Sequence, residues 1–271
     1  MAKNLYLIGT AHIDPDGQER LENLYEKLRP KIVTVELSKD RADLFDNPPD
    51  LEKLLDEYAE DEGLSLRPEQ RAIYLKIGIK MSSIFGFEYR AAKSHSEKNP
   101  DCRMKFIDVS FLKHGKEDYF QGLRQISRLE DISEDTKEKI YKMLDKGDKG
   151  VEEYVELMRQ GSVMFYNIFE MLFVLDSDKA EEIVRPLVEE YTECPEELSG
   201  AGARIYKQIH APERDEHMAR KIRKIYSSLP SGNMVVPVGV IHIPFLRKKL
   251  DDLNPVVSTL DSKKFFKEAA I

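Results

Sequence analysis

Cysteine is nearly absent. Cys102 and Cys194 are the only two in 271 residues, and they form no C-x-x-C. No disulfide framework or zinc ribbon follows, and a reducing, cytoplasmic setting fits. Long apolar runs are also lacking. The longest, "GSVMFYNIFEMLFVL" at 161–175, contains Asn167 and Glu170. It falls short of the roughly 20 apolar residues that span a membrane, and reads as a buried or dimer-forming helix. The opening "AKNLYLIG" is too short and strand-like for a signal peptide. Positive charge is not in excess: 42 Lys and Arg stand against 50 Asp and Glu, a net charge of −8. Wrapping nucleic acid needs clustered cations, so that class is excluded. The basic stretch "RKIRKIY" at 220–226 has helical spacing and reads as a solvated helix face.

Familiar catalytic signatures are missing as well. There is no G-x-G-x-x-G, no G-x-x-x-x-G-K, no G-x-S-x-G and no H-E-x-x-H. Dinucleotide, P-loop, serine-triad and zincin readings therefore lack support.

What remains describes a soluble globular protein, 41% hydrophobic and 34% charged, long enough for one large domain or two small ones. "NLYLIG" at 4–9 reads as a strand buried on both faces. The stretch up to Pro30 has helical spacing at Leu21, Leu24, Tyr25 and Leu28, and "KIVTVEL" at 31–37 is a second strand. Strand, helix, strand in so few residues is a parallel βαβ unit. Helical patterns then dominate, with strand character returning in "CRMKFIDV", "NMVVPVG" and "PVVSTL". The expected class is α/β, with a central, mostly parallel sheet built from both chain ends. Residues 1–110 and 230–271 would form the core. Residues 111–229 would form a helical insertion that closes the site.

The chemistry concentrates at strand ends. Gly9 precedes His12 by three residues in "GTAH", and Gly239 precedes His242 by three in "GVIH". Ligands of open α/β sheets sit beyond the carboxyl ends of the strands, so two such histidines can reach one crevice. Glu36 ends "TVE" and Asp108 ends "FID". One histidine after a strand reads as a structural residue. Two in matching positions, with carboxylates at other strand ends, read as a site. Glu36 needs a buried partner, and Arg41 is the candidate base in sequence. A rival cluster, His210, Glu213 and His217, is interrupted by Pro212. There the acidic first turn suits a helix N-terminus, and Arg214 can point into the crevice. His95 and His114 are expected at the surface.

"GTAH", "VEL" with Arg41, "FEYRAA", "FIDV", "PERDEHM" and "VVPVGVIH" together resemble the TraB family, which includes PrgY-type pheromone-shutdown proteins and is related to the Tiki proteases. The resemblance implies a core like those of erythromycin esterases and ChaN-like proteins. It also implies metal-dependent peptidase activity supported by manganese or cobalt. Carried over by position, His12, Glu88 and His242 are the implied metal ligands. Glu36 and Arg214 are the catalytic pair, with Arg41, Asp108 and Asp215 in support. "GVIHIPF" is bulkier than the family's glycine-rich version, and no hydrophobic C-terminal region follows.

Three functions fit these residues. One is a metal-dependent hydrolase of a peptide or small amide, using manganese, cobalt or zinc and possessing an Arg214 oxyanion clamp. Such an enzyme could inactivate a peptide signal. The second is a non-enzymatic protein that sequesters a peptide, metal or haem. The third is a metal-independent hydrolase in which histidine activates water. A homodimer through the apolar middle helices is expected.

Overall fold

The computed structural model describes residues 3–48, 50–127, 133–173, 175, 177–189, 194–209 and 213–262. Five strands are described: β1 (Lys3–Thr10), β2 (Ile32–Val35), β3 (Arg103–Phe106), β4 (Gly232–Gly239) and β5 (Val256–Thr259). They form one sheet in the order β3-β2-β4-β1-β5. Every pairing is parallel. The two chain ends thus meet in the middle, with β1 beside β4. Thr10 pairs with Gly239, so both G-x-x-H segments leave the sheet side by side.

Helices cover both faces, which explains the near-continuous apolar strands. On one face Ile8, Val33 and Val235 pack with Leu21, Leu24 and Tyr25 of α1 (Gly17–Leu28). Beyond α1 lie α2 (Lys39–Asp46), α3 (Leu51–Asp61), α4 (Pro68–Ile84) and α5 (Phe87–Lys98). Phe87, Ala91 and Ala92 of α5 complete that layer. On the other face Leu5, Leu7 and Val236 pack with Met218, Ile222 and Leu246. Each such apolar side chain contributes about 1.5–3 kcal/mol on full burial.

Between β3 and β4 run α6 (Lys116–Ser127), α7 (Glu134–Leu144), α8 (Asp148–Phe173), α9 (Ser177–Glu189), α10 (Gly200–Ile209) and α11 (Glu213–Ser228). After β4 a 3-10 turn at Val240–His242 leads into α12 (Ile243–Lys249). The glycine-containing stretch "DKGDKG" at 145–150 separates two helices, since α7 ends at Leu144 and α8 starts at Asp148. Among the described residues no helix is long and apolar enough to cross a membrane.

The 26-residue α8 joins the core rather than standing apart. Tyr166 and Phe169 are buried in the same cluster as β1. The Tyr166 hydroxyl accepts from the Ala11 N–H (3.1 Å) and donates to Asp14 Oδ2 (3.0 Å), both in the loop that carries His12. The opposite face of α8 exposes Leu157, Met164, Phe165, Ile168 and Met171.

Candidate active site

The local sequence sets up the site in three steps. Parallel pairing puts the ends of β1, β2 and β4 at one edge, so His12, Glu36 and His242 are neighbours there. Gly239 keeps the space between them open. A Cβ on it would lie 2.9 Å from His12 Nε2 and 3.5 Å from both Glu36 Oε2 and His242 Cδ2. Finally, the first turn of α11 brings Arg214 and Asp215 against the same edge.

Glu36 is the hub. Its side chain is only 6% exposed. Oε1 accepts from Arg214 Nη2 (2.6 Å) and lies 3.2 Å from His242 Nε2. Oε2 accepts from the Gly239 N–H (2.6 Å) and lies 3.8 Å from His12 Nε2. Each ring is held on its other nitrogen by a carboxylate. His12 Nδ1 is 2.7 Å from Glu88 Oε1, and His242 Nδ1 is 2.7 Å from Asp215 Oδ1. His12 is the open side of the cluster, with 47% of its side chain exposed, against 16% for His242.

Arg214 links this group to Asp108. Its Nε and Nη2 donate to Asp108 Oδ1 (2.9 Å) and Oδ2 (2.8 Å), and its Nη1 lies 3.4 Å from His242 Nε2. Arg41 sits 3.5 Å from Asp108 Oδ2 and over the Phe111 ring. Arg41 is therefore the partner of Asp108, and Glu36 takes Arg214 instead. The cluster pairs four carboxylates (Glu36, Glu88, Asp108 and Asp215) with four groups able to be cationic. This is how so much charge is tolerated at low exposure.

These contacts set the proton affinities. Desolvation costs the charged His12 ring, but Glu88 and then Glu36 outweigh it, raising the pKa to about 9. Desolvation acts likewise on His242, and Glu36 and Asp215 raise it to about 10. Burial works against ionisation of Glu36, yet His242, Arg214 and His12 together hold it well below the ordinary carboxylate range. Arg214 loses solvation on burial, but Glu36 and Asp108 hold its proton more tightly than usual. Without a metal, both rings are imidazolium at neutral pH.

All eight residues singled out in the sequence converge here. Glu88, implied there as a metal ligand, bonds the Nδ1 side of His12, away from Glu36. Asp215 plays the matching part for His242. His95 departs from expectation: it is buried and its ring centroid is 5.1 Å from that of Tyr25, because α1 covers that face of α5. His114 is exposed. In the rival cluster, His210 and Pro212 lie outside the described residues, and His217 lines a separate cavity with Lys221 and Asp108. Sequence reasoning missed Tyr166, Asp14 and the Gly239 amide. Asp14 stands two residues after His12, and that closeness was the available signal.

The donor set suits a transition metal. Two imidazole Nε2 atoms face one carboxylate, and each Nδ1 has the carboxylate support typical of metal-bound histidine. Two ligands each about 2.1 Å from one tetrahedral ion stand about 3.4 Å apart, comparable to the His–Glu36 separations. Among the described residues no three His, Cys, Asp or Glu side chains form a ready-made cage. Both Glu36 oxygens are instead engaged by Arg214 and Gly239. The chain matches no family model and no curated protein.

Proposed function

We propose that this chain is a metal-dependent hydrolase of the TraB/Tiki type, acting on a peptide or other small amide, with a core related to erythromycin-esterase and ChaN-like proteins. The observation that carries this reading is the convergence of His12 Nε2 and His242 Nε2 on Glu36 while Glu88 and Asp215 fix the far nitrogens. His12 and His242, with Glu36, would hold manganese, cobalt or zinc. Such an ion supplies carbonyl polarisation and a bound water with pKa lowered toward about 7.

The protein groups have separate tasks in this reading. Glu88 and Asp215 orient the rings and keep their tautomers fixed. Arg214 aims Glu36 and supplies positive charge beside His242, where an oxyanion would develop. Glu36 is held ionised by Arg214 and the two rings, so it offers its carboxylate as a ligand rather than as a strong base. The half-exposed His12 marks the side from which substrate enters. A metal-free mechanism with histidine as base would first have to remove the ring proton that Glu88, Glu36 and Asp215 hold in place, as metal binding would. A homodimer in this reading would use the exposed apolar side of α8.

A peptide-library cleavage assay with and without chelator tests the reaction class. Cleavage that chelation removes and manganese, cobalt or zinc restores is the expected result. Metal binding with no cleavage of any peptide would favour sequestration. Cleavage that survives chelation would overturn the metal.

A further inference from the structure

The outer face of α8 is a seam. Leu157, Gly161, Met164, Ile168 and Met171 follow one another at spacings of four, three, four and three residues, and Leu175 continues the series just past the helix end. This alternation is the a/d repeat by which two helices interlock. We propose that α8 pairs antiparallel with α8 of a second copy of this chain, about a two-fold axis level with residue 166.

The stripe is too apolar to stand alone. Leu157, Met164, Ile168 and Met171 are 43–67% exposed, and Phe165 flanks them at 43%. From Leu157 to Met171 they run about 21 Å along one helix. Monomers rarely leave so long an apolar patch uncovered. With its polar rim, two copies meeting along this length bury about 1,200 Å², the lower end of stable interfaces.

Three features favour a second copy as the occupant. First, residues 160–169 contain no Asp, Glu, Lys, Arg or His, in a chain that is 34% charged. Two copies, each with a net charge of −8, therefore meet without like charges facing across the seam. Second, the stripe complements itself when reversed. The antiparallel register sets Met164 against Ile168 of the partner subunit and Gly161 against Met171 of the partner subunit. The longest protruding side chain thus enters the notch at the glycine. Only Ile13 Cδ1, 4.0 Å away, would approach a Cβ there. A parallel pair would set glycine against glycine and leave a void. Third, the exposed Asn167 of each copy flanks the axis, where the two side-chain amides can bond each other. Tyr166, on the opposite side of α8, holds the loop that carries His12, so the pair braces that loop. The inference does not depend on hydrolysis.

Sedimentation equilibrium of the full chain, from micromolar to submillimolar concentration, tests the pairing. A species of twice the 31.4 kDa chain mass is expected. Ile168→Glu should raise the dissociation constant at least about tenfold. Ile79→Glu, at an isoleucine of α4 that is 59% exposed, should leave it unchanged. Circular dichroism checks that both variants fold. In a Cys194→Ser background a short bis-maleimide should join Asn167→Cys to its copy. It should not join Leu157→Cys, whose copies lie about 27 Å apart along the antiparallel pair. Joining at Leu157→Cys alone would mean a parallel pair and overturn the arrangement. A monomer throughout the range overturns the proposal. So does equal weakening by the two glutamates. A monomer that floats with phosphatidylcholine vesicles, and ceases to in Ile168→Glu, would assign the face to a lipid surface instead.

Discussion

His12 and His242 present their Nε2 atoms to opposite oxygens of the single carboxylate Glu36, at 3.8 and 3.2 Å. The two histidines are 230 positions apart in sequence. They meet because β1 and β4 are parallel neighbours whose ends are in register. Glu36 reaches them from β2, on the other side of β4.

Protons and metal should compete for this pair. With ring pKa values of about 9 and 10, both protons must leave before Nε2 and its carboxylate-bound partner nitrogen settle into the metal-ligating tautomer. Manganese or zinc affinity should therefore rise with pH from 6 to 9, by up to about 100-fold per unit for two protons. Calorimetry in buffers of different ionisation enthalpy should show release of more than one proton at pH 7. Uptake that is flat across this range would contradict the ring charges.

The metal-free fold should show the opposite trend. Both rings have folded-state pKa values above the unfolded 6.5, so their stabilisation is complete below about pH 6.5 and is lost as pH rises through 9 and 10. Denaturant unfolding of chelator-treated protein should give falling stability over that window. A rise over the same window would mean that the carboxylates do not hold the rings protonated.

Gly239→Ala should damage the site and spare the fold. Its φ of −51° suits alanine, so the backbone is not strained. The new methyl would meet the tip of His12, a half-exposed ring that can swing aside. Metal affinity should drop at least about tenfold, the scale seen when support of a metal ligand is lost. The melting temperature should move by only a few degrees, as about 1 kcal/mol shifts a chain of this size by roughly 2–4 °C.

Arg214→Ala should destabilise strongly. It leaves Glu36 and Asp108 with reduced compensation in a site where the guanidinium is 12% exposed. Breaking a buried pair from one side costs about 3–5 kcal/mol. Arg214→Lys should recover part of this, since an ammonium cannot hold both carboxylates in the same fork. Urea titration of the three proteins gives the ranking.

Tyr166→Phe removes one hydroxyl that serves both Ala11 and Asp14. Leaving those buried groups short of a partner should cost about 1–3 kcal/mol. Hydrogen exchange at the Ala11 amide should accelerate in the variant. Unchanged protection there would mean that α8 does not hold the His12 loop.

The sheet was legible because its strands are short apolar runs ending at glycine or a carboxylate. The site was legible because parallel strands collect their ends at one edge. Partner choice was not. Arg41 is five residues from Glu36, yet α2 carries it to Asp108. Arg214 wins because α11 docks at the sheet edge, a tertiary fact with no local signal. Burial of His95 depends in the same way on Tyr25 reaching across from α1. Helical periodicity showed that α8 has an apolar stripe, but not that Tyr166 anchors the loop before α1.

Metal content is the most direct test of the central claim. The full chain is purified, loaded with manganese, cobalt or zinc in turn, desalted, and measured by elemental analysis beside His12→Ala with His242→Ala. The account predicts close to one equivalent of at least one metal in the native protein and almost none in the double variant, with both proteins folded by circular dichroism. Equal metal content in the two would contradict it.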